Sequence, residues 1–429
     1  MRKTTKCKSD YDGSMRNSSE KVIIVGGGVI GLCAAYYASQ RGLDVTVLDR
    51  APESEEGCSF GNAGMVVPSH FIPLAAPGMI AKGMRWMMNP ESPFYIKPRL
   101  SWDLAKWGIQ FWKHANEKHT ETVKELLAEM SLESRKLFTE LAEEEEFGFK
   151  KRGLLMLCKT PKGLDSEASV AAMANEIGIR AEVCDSARVS QLDPAIQMDV
   201  AGGVWFEQDC HLDPNRFMNV LRQRIKKSGG EIRYQAEVSD FLMTDHKVAG
   251  VKLISGETLN ASHVVMACGA WSPAITQKLG KKLCMQSGKG YSLTLTDPAQ
   301  LPELCSIFSE AKVAVTPIGN SLRIAGTMEI GANKLDINPR RVRGIIKSVK
   351  EYFPQFKDED FADVKPWAGL RPCTPDGLPY IGRIPRHDNV IVATGHAMMG
   401  LSLGPITGQL VAKMLDKTGQ PDSKLRVRF

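Results

Sequence analysis

Two spacings of apolar residues organise this chain: short runs and strict alternation, which predict strands, and a recurrence every 3.6 residues, which predicts helices. Val22 to Val25 is a β-branched run suited to a buried strand, and Val45 to Leu48 predicts a second one after an intervening helix. Leu126, Leu127, Met130, Leu137, Phe138 and Leu141 recur at helical spacing between Thr122 and Glu146, with acidic residues on the opposite, solvated face. Leu154 to Cys158 reads as a short strand. Asp213-Pro214 then opens a helix through Phe217, Val220, Leu221 and Ile225, which Gly229-Gly230 ends. Glu231 to Val238 and a hairpin-like pair, Phe241 to Thr244 with Val248 to Leu253, lead to a strand from His263 that runs into small residues and returns to the first sheet.

From Gly290 the pattern alternates. Ala314 to Thr316 and Leu322 to Ile324 flank Gly319-Asn320, which suits a primed hairpin turn and an antiparallel sheet. Trp367 to Gly382 is a Gly- and Pro-rich loop, followed by a strand, Val390 to Ala393, and a helix, Pro405 to Leu415, with Ile406, Leu410, Val411 and Met414 inward. A parallel sheet first and an antiparallel sheet later predict an α/β chain with two layers of different kind.

Composition narrows the function classes. At 429 residues, with 43% hydrophobic and 24% charged residues, the chain is an ordinary globular sequence long enough for two interleaved domains. The net charge is +6, of which Arg2, Lys3, Lys6, Lys8 and Arg16 against Asp10 and Asp12 supply three. That stretch lacks an apolar h-region, so the expectation is a flexible tail over residues 1–20, neither a secretory signal nor a membrane span, with Met15 as an alternative start. No basic and aromatic interleaving marks a nucleic-acid binder. Ten scattered cysteines without a C-x-x-C pair predict reduced thiols, a reducing compartment and no metal site.

Chemistry enters at Gly26, Gly28 and Gly31, which have G-x-G-x-x-G spacing between strand and helix. Gly26 permits the tight turn, Gly28 lets backbone approach a pyrophosphate at the helix N-terminus, and Gly31 lets helix and strand lie close. Asp49 stands where an acid accepts from a ribose hydroxyl. Gly57 to Gly64 is either a surface loop or backbone that meets a flat ligand. Between Met65 and Trp112, Met79, Met84, Met87, Met88, Trp86, Trp102, Trp107 and Trp112 are interspersed with Lys82, Arg85, Lys97, Arg99, Lys106 and Lys113. Such a segment either packs inside a substrate-side domain or meets a membrane face or partner. The last helix begins in Gly400 to Gly404, a positive dipole end suited to the charge of a reduced cofactor ring.

Taken in order, VIIVGGGVIGL with Asp49, SFGNAGMVVP from Ser59, MACGAWSP from Met266, GKGYSLTL from Gly288, AGTMEIGA from Ala325, WAGLRPCTPDGLPYIG from Trp367 and TGHAMMGLSLGPITG from Thr394 resemble the FAD-dependent D-amino acid oxidase and dehydrogenase superfamily, most closely its D-amino acid dehydrogenase branch of the small-subunit type. The resemblance implies an FAD-binding Rossmann-like domain of the glutathione reductase type, from residues 21–66, 213–283 and 366–429, and a mixed-sheet α+β substrate domain, from 67–212 and 284–365. It implies that Gly28, Val29 and Ile30 cradle the pyrophosphate and that Asp49 holds the adenosine ribose, with Gly26, Gly31 and Arg50 also among the cofactor-binding residues. Ser59, Gly61, Asn62, Ala63, Gly64 and Met65 pass near the flavin, Val238 meets the adenine side, and Ala267, Gly269 and Trp271 touch the dinucleotide. Gly395, His396, Met398, Met399, Gly400, Leu401 and Ser402 line the flavin's pyrimidine edge.

By the same resemblance Arg371 pairs with the substrate carboxylate. A planar, bidentate guanidinium fixes Cα over flavin N5 better than a point charge. Tyr291 is a second contact or a packed core tyrosine, and His396 a flavin or substrate contact, a helix cap or a core histidine. The sarcosine oxidase relatives carry a flavin-linking cysteine where this chain has Gly369, with Cys373 offset, so the expected cofactor is non-covalent FAD. The expected activity is oxidative deamination of a neutral or cyclic D-amino acid, of D-proline or D-hydroxyproline type, with a quinone or other acceptor. That places the protein in the cytoplasm, with a peripheral contact on the inner membrane face. Alternatives are a glycine- or sarcosine-type amine oxidase, a flavin redox sensor or carrier, and, with only one GxGxxG unit against it, a nicotinamide dehydrogenase. The sequence leaves the oligomeric state open.

Overall fold

The computed structural model describes residues 20–53, 57–87, 89, 91–97, 100–245 and 247–415. Residues 1–19 of the expected tail, with Cys7 and Met15, together with Met88, Arg99 and the side chain of Lys82, lie outside the described residues.

Around the opening strand Lys21–Val25 a six-stranded sheet runs in the order Tyr380–Ile384, His387–Thr394, His263–Met266, Lys21–Val25, Asp44–Leu48, Glu231–Arg233. All neighbours are parallel except the hairpin at one edge. Both faces of the central strand are buried, which is why it reads as a continuous apolar run. Val22 and Ile24 face a layer of helices, Val29–Ser39, Pro214–Lys227 and Gly404–Leu415, backed by Glu117–Glu144. Ile23 and Val25 face a core shared with the antiparallel strands Val238–Thr244 and Lys247–Leu253. The long helix starts at Glu117, ahead of Thr122, because the Asn116 side chain caps it by accepting from His119 N–H at 3.0 Å.

The later alternation becomes a nine-stranded sheet. Its path is Trp367–Cys373, Gln286–Thr296, Ser321–Ile330, Val313–Ile318, Cys305–Phe308, Leu154–Cys158, Gly202–Phe206, Ala181–Asp185, with Phe94–Ile96 paired to Ser321–Ile330. Gly319 has φ 59° between the paired residues Ile318 and Ser321, the first position of a primed two-residue turn.

The stretch around Arg371 corrects a sequence expectation. Trp367–Cys373 is an edge strand of this second sheet, antiparallel to Gln286–Ser292, and not a loop. Gly369 and Pro372 read as loop residues, but an edge strand tolerates both, since Pro372 can face away from the ladder.

The tryptophan segment divides by face. Trp107 of the helix Trp102–His114 is buried, stacks on Phe111 and donates from Nε1 to the Cys373 carbonyl at 2.9 Å. Trp102 and Trp112 on the other face are 81% and 66% exposed. Among the described residues all nine cysteines are free, no group of side chains is arranged to hold a metal, and no helix is long and apolar enough to cross a membrane.

Candidate active site

One cavity of about 620 Å³ runs from the C-terminal end of the strand Lys21–Val25 to the face of the nine-stranded sheet. At its first end the wall is mostly backbone. Gly26 has φ 110°, and a Cβ there would lie 2.4 Å from the Ala267 carbonyl. A Cβ on Gly31 would lie 1.8 Å from the Gly26 carbonyl, so this glycine sets how closely helix and strand approach. Gly28 caps the helix with no side-chain bond and there is no acid in the first turn, which leaves the helix N-terminus facing the cavity as a site for negative charge. Val29 N–H donates to Ser59 Oγ at 3.0 Å. The Asp49 carboxylate accepts from Gly27 N–H at 2.6 Å and Ala51 N–H at 2.8 Å, which holds it rigidly at the strand end. Arg50 stacks on Trp271, its guanidinium carbon 3.8 Å from the ring centroid.

The Trp367 indole lies against Gly61 and Gly369, where a Cβ would sit 2.1 and 2.2 Å from its ring. Opposite, Ser402 Oγ donates to the Met65 carbonyl at 3.0 Å and accepts from Val67 N–H at 3.1 Å, tying the Asn62 to Val67 segment to the turn before the last helix. His396 lines this part, with Nε2 3.0 Å from Thr407 Oγ1 and Nδ1 buried without a partner. Burial pushes its pKa down to about 3, so the ring is neutral.

At the sheet end the wall is made of side chains. The strand Ser321–Ile330 carries a bulge: Lys289 faces Glu329 and Tyr291 faces Gly326, so Thr327 and Met328 together oppose Gly290. Thr327 adopts φ 70°, and its carbonyl accepts from Arg371 Nη1 at 2.8 Å. The guanidinium occupies the space a side chain at Gly290 would fill, 2.0 Å from an ideal Cβ there. Tyr291 lines the cavity, but its hydroxyl is bonded to the buried Glu329 carboxylate, which together with burial raises its pKa. His70 and Lys312 complete this wall.

Of the sequence candidates, Gly26, Gly28, Val29, Ile30, Asp49, Arg50, Ser59, Gly61, Asn62, Ala63, Met65, Val238, Ala267, Gly269, Trp271, Tyr291, Arg371, His396, Met398, Met399, Gly400, Leu401 and Ser402 line the one cavity. Gly31, Gly64 and Gly395 are not among its lining residues. Their roles are internal: Gly64 and Gly395 have φ of 79° and 86°, and a Cβ would lie 2.4 Å from the Leu212 carbonyl and 2.7 Å from Thr374 Cγ2. Sequence reasoning missed His70, Lys312, Thr327 and Trp367. Trp367 and Thr327 had a local signal, as the first residue of one quoted motif and the third of another.

Residues 21–414 match the protein family described as FAD dependent oxidoreductase. The chain belongs to that family. Among curated relatives, it is 32% identical over 402 residues to the D-amino acid dehydrogenases of Methylobacterium nodulans and Granulibacter bethesdensis, covering 92% of this chain and 95% of each relative. Its fold matches a glycine oxidase from Bacillus cereus with a TM-score of 0.74 at 21% identity, over 94% of this chain and 96% of that one. It also matches an L-proline dehydrogenase from P. horikoshii with a TM-score of 0.70 at 19% identity, over 94% of each. The oxidoreductase's cavity fits FAD on its own features: a glycine-lined helix N-terminus for a pyrophosphate, a fixed acid for a ribose, and an orphan buried nitrogen on His396.

Proposed function

We propose that this oxidoreductase oxidises the amine of a neutral or cyclic D-amino acid, giving an imino acid that water converts to a 2-oxo acid and ammonium. The observation that carries this reading is the Arg371 guanidinium, laid over Gly290 on the cavity wall and anchored by Thr327. One of its five N–H donors is committed to that carbonyl, and a carboxylate can be gripped bidentately by others. Clamped there, an amino acid has its Cα held at a fixed height over the cofactor, whose ring supplies the hydride acceptor when FAD is bound. The D configuration rests on the two curated relatives, whose names state it. Anaerobic bleaching of the flavin by D- but not L-amino acids is the expected result; no bleaching by any amino acid overturns the reading. Peroxide release in air would replace the dehydrogenase with an amine oxidase.

FAD binds without a covalent link in this reading. The two cavity-lining thiols, Cys58 and Cys268, are both held protonated by burial, Cys268 up to about 12, and a protonated thiol is a poor nucleophile. Cys373 is fully buried with Sγ toward Met328. Acid precipitation should leave the yellow colour in the supernatant.

Electrons leave to a quinone or similar carrier at a peripheral membrane contact. Support comes from the exposed stripe Trp102, Ile109 and Trp112 beside Lys106 and Lys113, with Leu100 exposed next to it. Holoprotein should sediment with anionic liposomes at low salt, and a wholly soluble fraction counts against the contact.

A further inference from the structure

The wall beside Arg371 carries a second device. Asp209 is fully buried in the turn between the strands Gly202–Phe206 and Cys210–His211. Ser69 meets it twice: its N–H donates to Oδ1 at 3.0 Å and its hydroxyl to Oδ2 at 2.5 Å. A hydroxyl has one proton, so with that proton on Asp209 the Ser69 oxygen is left to accept from His70 Nδ1, 3.1 Å away. This fixes the His70 tautomer, with N–H at Nδ1 and a lone pair at Nε2, on a ring that lines the cavity. Lys312 lines the same wall, and its charge acts on His70. Val313 and Gly326 are neighbours, an ideal Cβ on Gly326 lying 3.4 Å from Val313 Cγ2, so Lys312, next to the one, and Thr327, next to the other and holding Arg371 by its carbonyl, belong to one part of the wall. The histidine and the carboxylate clamp therefore serve one stretch of the cavity.

We propose that His70, Ser69 and Asp209 form a proton relay that takes up the ammonium proton of the bound substrate. This rests on the amine-oxidising reading above. The ammonium N–H breaks as Nε2–H forms, Nδ1–H breaks as a new Ser69 O–H forms, and the original Ser69 proton passes to Asp209 Oδ2. One proton moves, the ammonium and carboxylate charges disappear together, and the imidazole is neutral before and after. The freed nitrogen lone pair is what hydride loss from Cα requires to give the imine.

Burial pushes the Asp209 carboxyl up to about 7, so its protonated form is accessible near neutrality. Burial, with Lys312, holds His70 down to about 4, so the ring passes the proton on and does not retain it. The other groups facing Asp209 are Arg135 from the helix Glu117–Glu144 and the thiols of Cys210 and Cys305. In this relay His70 is the residue that meets the substrate amine, and Ser69 and Asp209 are positioning residues.

The test is the rate of anaerobic flavin reduction by a D-amino acid, followed from acid to alkaline pH in holoenzyme carrying His70→Gln, Ser69→Ala or Asp209→Asn. At neutral pH each variant should be slower by about tenfold per pKa unit of lost proton affinity. Each should recover to near the wild-type rate once the pH exceeds the amine's own pKa, which also shows that the variant is folded. Profiles that superimpose on wild type, or a loss equal at every pH, overturn the relay while leaving amine oxidation intact. If no D-amino acid reduces the wild-type flavin, both readings fall.

Discussion

The two ends of the cavity solve the same problem, holding charge, with different materials. At the Gly26 end the partners are backbone N–H groups and a helix N-terminus, shaped by what glycine lacks, and Asp49 is itself fixed by backbone donors. At the Arg371 end the partners are side chains from strands far apart in sequence, aimed by a bulge and a residue at positive φ. A backbone site recognises a class of ligand, while a side-chain site recognises one ligand and performs chemistry on it. The contrast predicts that damage at the first end removes the cofactor and the fold together, whereas damage at the second removes turnover from a stable flavoprotein.

The sharpest way to break that contrast is Arg371→Ala. Removing one partner of a desolvated charge pair costs about 3–5 kcal/mol, so kcat/KM should fall by roughly two to four orders of magnitude while the flavin spectrum and melting temperature stay near wild type. Unchanged turnover would instead favour a redox sensor or carrier with no amino acid substrate. Gly31→Ala should do the reverse. With Cβ aimed 1.8 Å from the Gly26 carbonyl, overpacking costs about 3 kcal/mol or more, read as lost flavin and a lowered melting temperature.

A pH series sharpens the contrast on the side-chain end alone. The folded pKa of Asp209, about 7, lies above its ordinary 3.8, so its contribution to stability is present at low pH and is lost as pH rises through 7. His70, His211 and His396 are depressed to about 4, 4 and 3, so their contribution is present above 6.5 and lost as pH falls. Wild type and Asp209→Asn share the histidine loss, but only wild type gains from protonating Asp209. The melting temperature of wild type relative to Asp209→Asn should therefore climb as pH falls from about 7 to about 4. A gap that narrows contradicts the assignment.

This difference in material also decides how much of the molecule the sequence disclosed. The first sheet was legible because its strands are buried on both faces and its turn needs glycine at fixed spacing, so identity and period carry the information locally. Even there, a glycine shows that a side chain is missing without showing what fills the space, which is the Gly26 carbonyl at Gly31, the Leu212 carbonyl at Gly64 and Thr374 Cγ2 at Gly395. At the other end, Arg371 was recognised only through a motif, and its strand was hidden by Gly369 and Pro372 at a sheet edge. His70 and Lys312 had no local signal at all, and Thr327 only its place in the AGTMEIGA motif. His70 stands more than two hundred residues before Lys312 and Thr327, and only the fold brings them to one cavity, which composition and periodicity do not encode. The split of the chain into residues 21–66, 213–283 and 366–429 against 67–212 and 284–365 stays a proposal, with the strand Trp367–Cys373 joined to the second sheet.

Thr327 gives the smallest effect and the most specific one. A β-branched residue at φ 70° is strained by roughly 1–3 kcal/mol, part of which glycine would relieve, offset by about 0.5–1 kcal/mol of extra unfolded-chain entropy. Thr327→Gly should therefore raise stability by about 1 kcal/mol or leave it unchanged. If the strain serves to aim a carbonyl at Arg371, the same substitution loosens one hydrogen bond to a guanidinium, worth about 1.5 kcal/mol, and kcat/KM should drop about tenfold with KM carrying most of the change. Thr327→Ala separates the two roles of the residue, because it keeps the carbonyl and much of the conformational restriction but removes the hydroxyl. An alanine variant close to wild type beside a weakened glycine variant assigns the effect to backbone geometry. Equal losses in both would assign it to the threonine side chain and remove the bulge from the account of how the clamp is held.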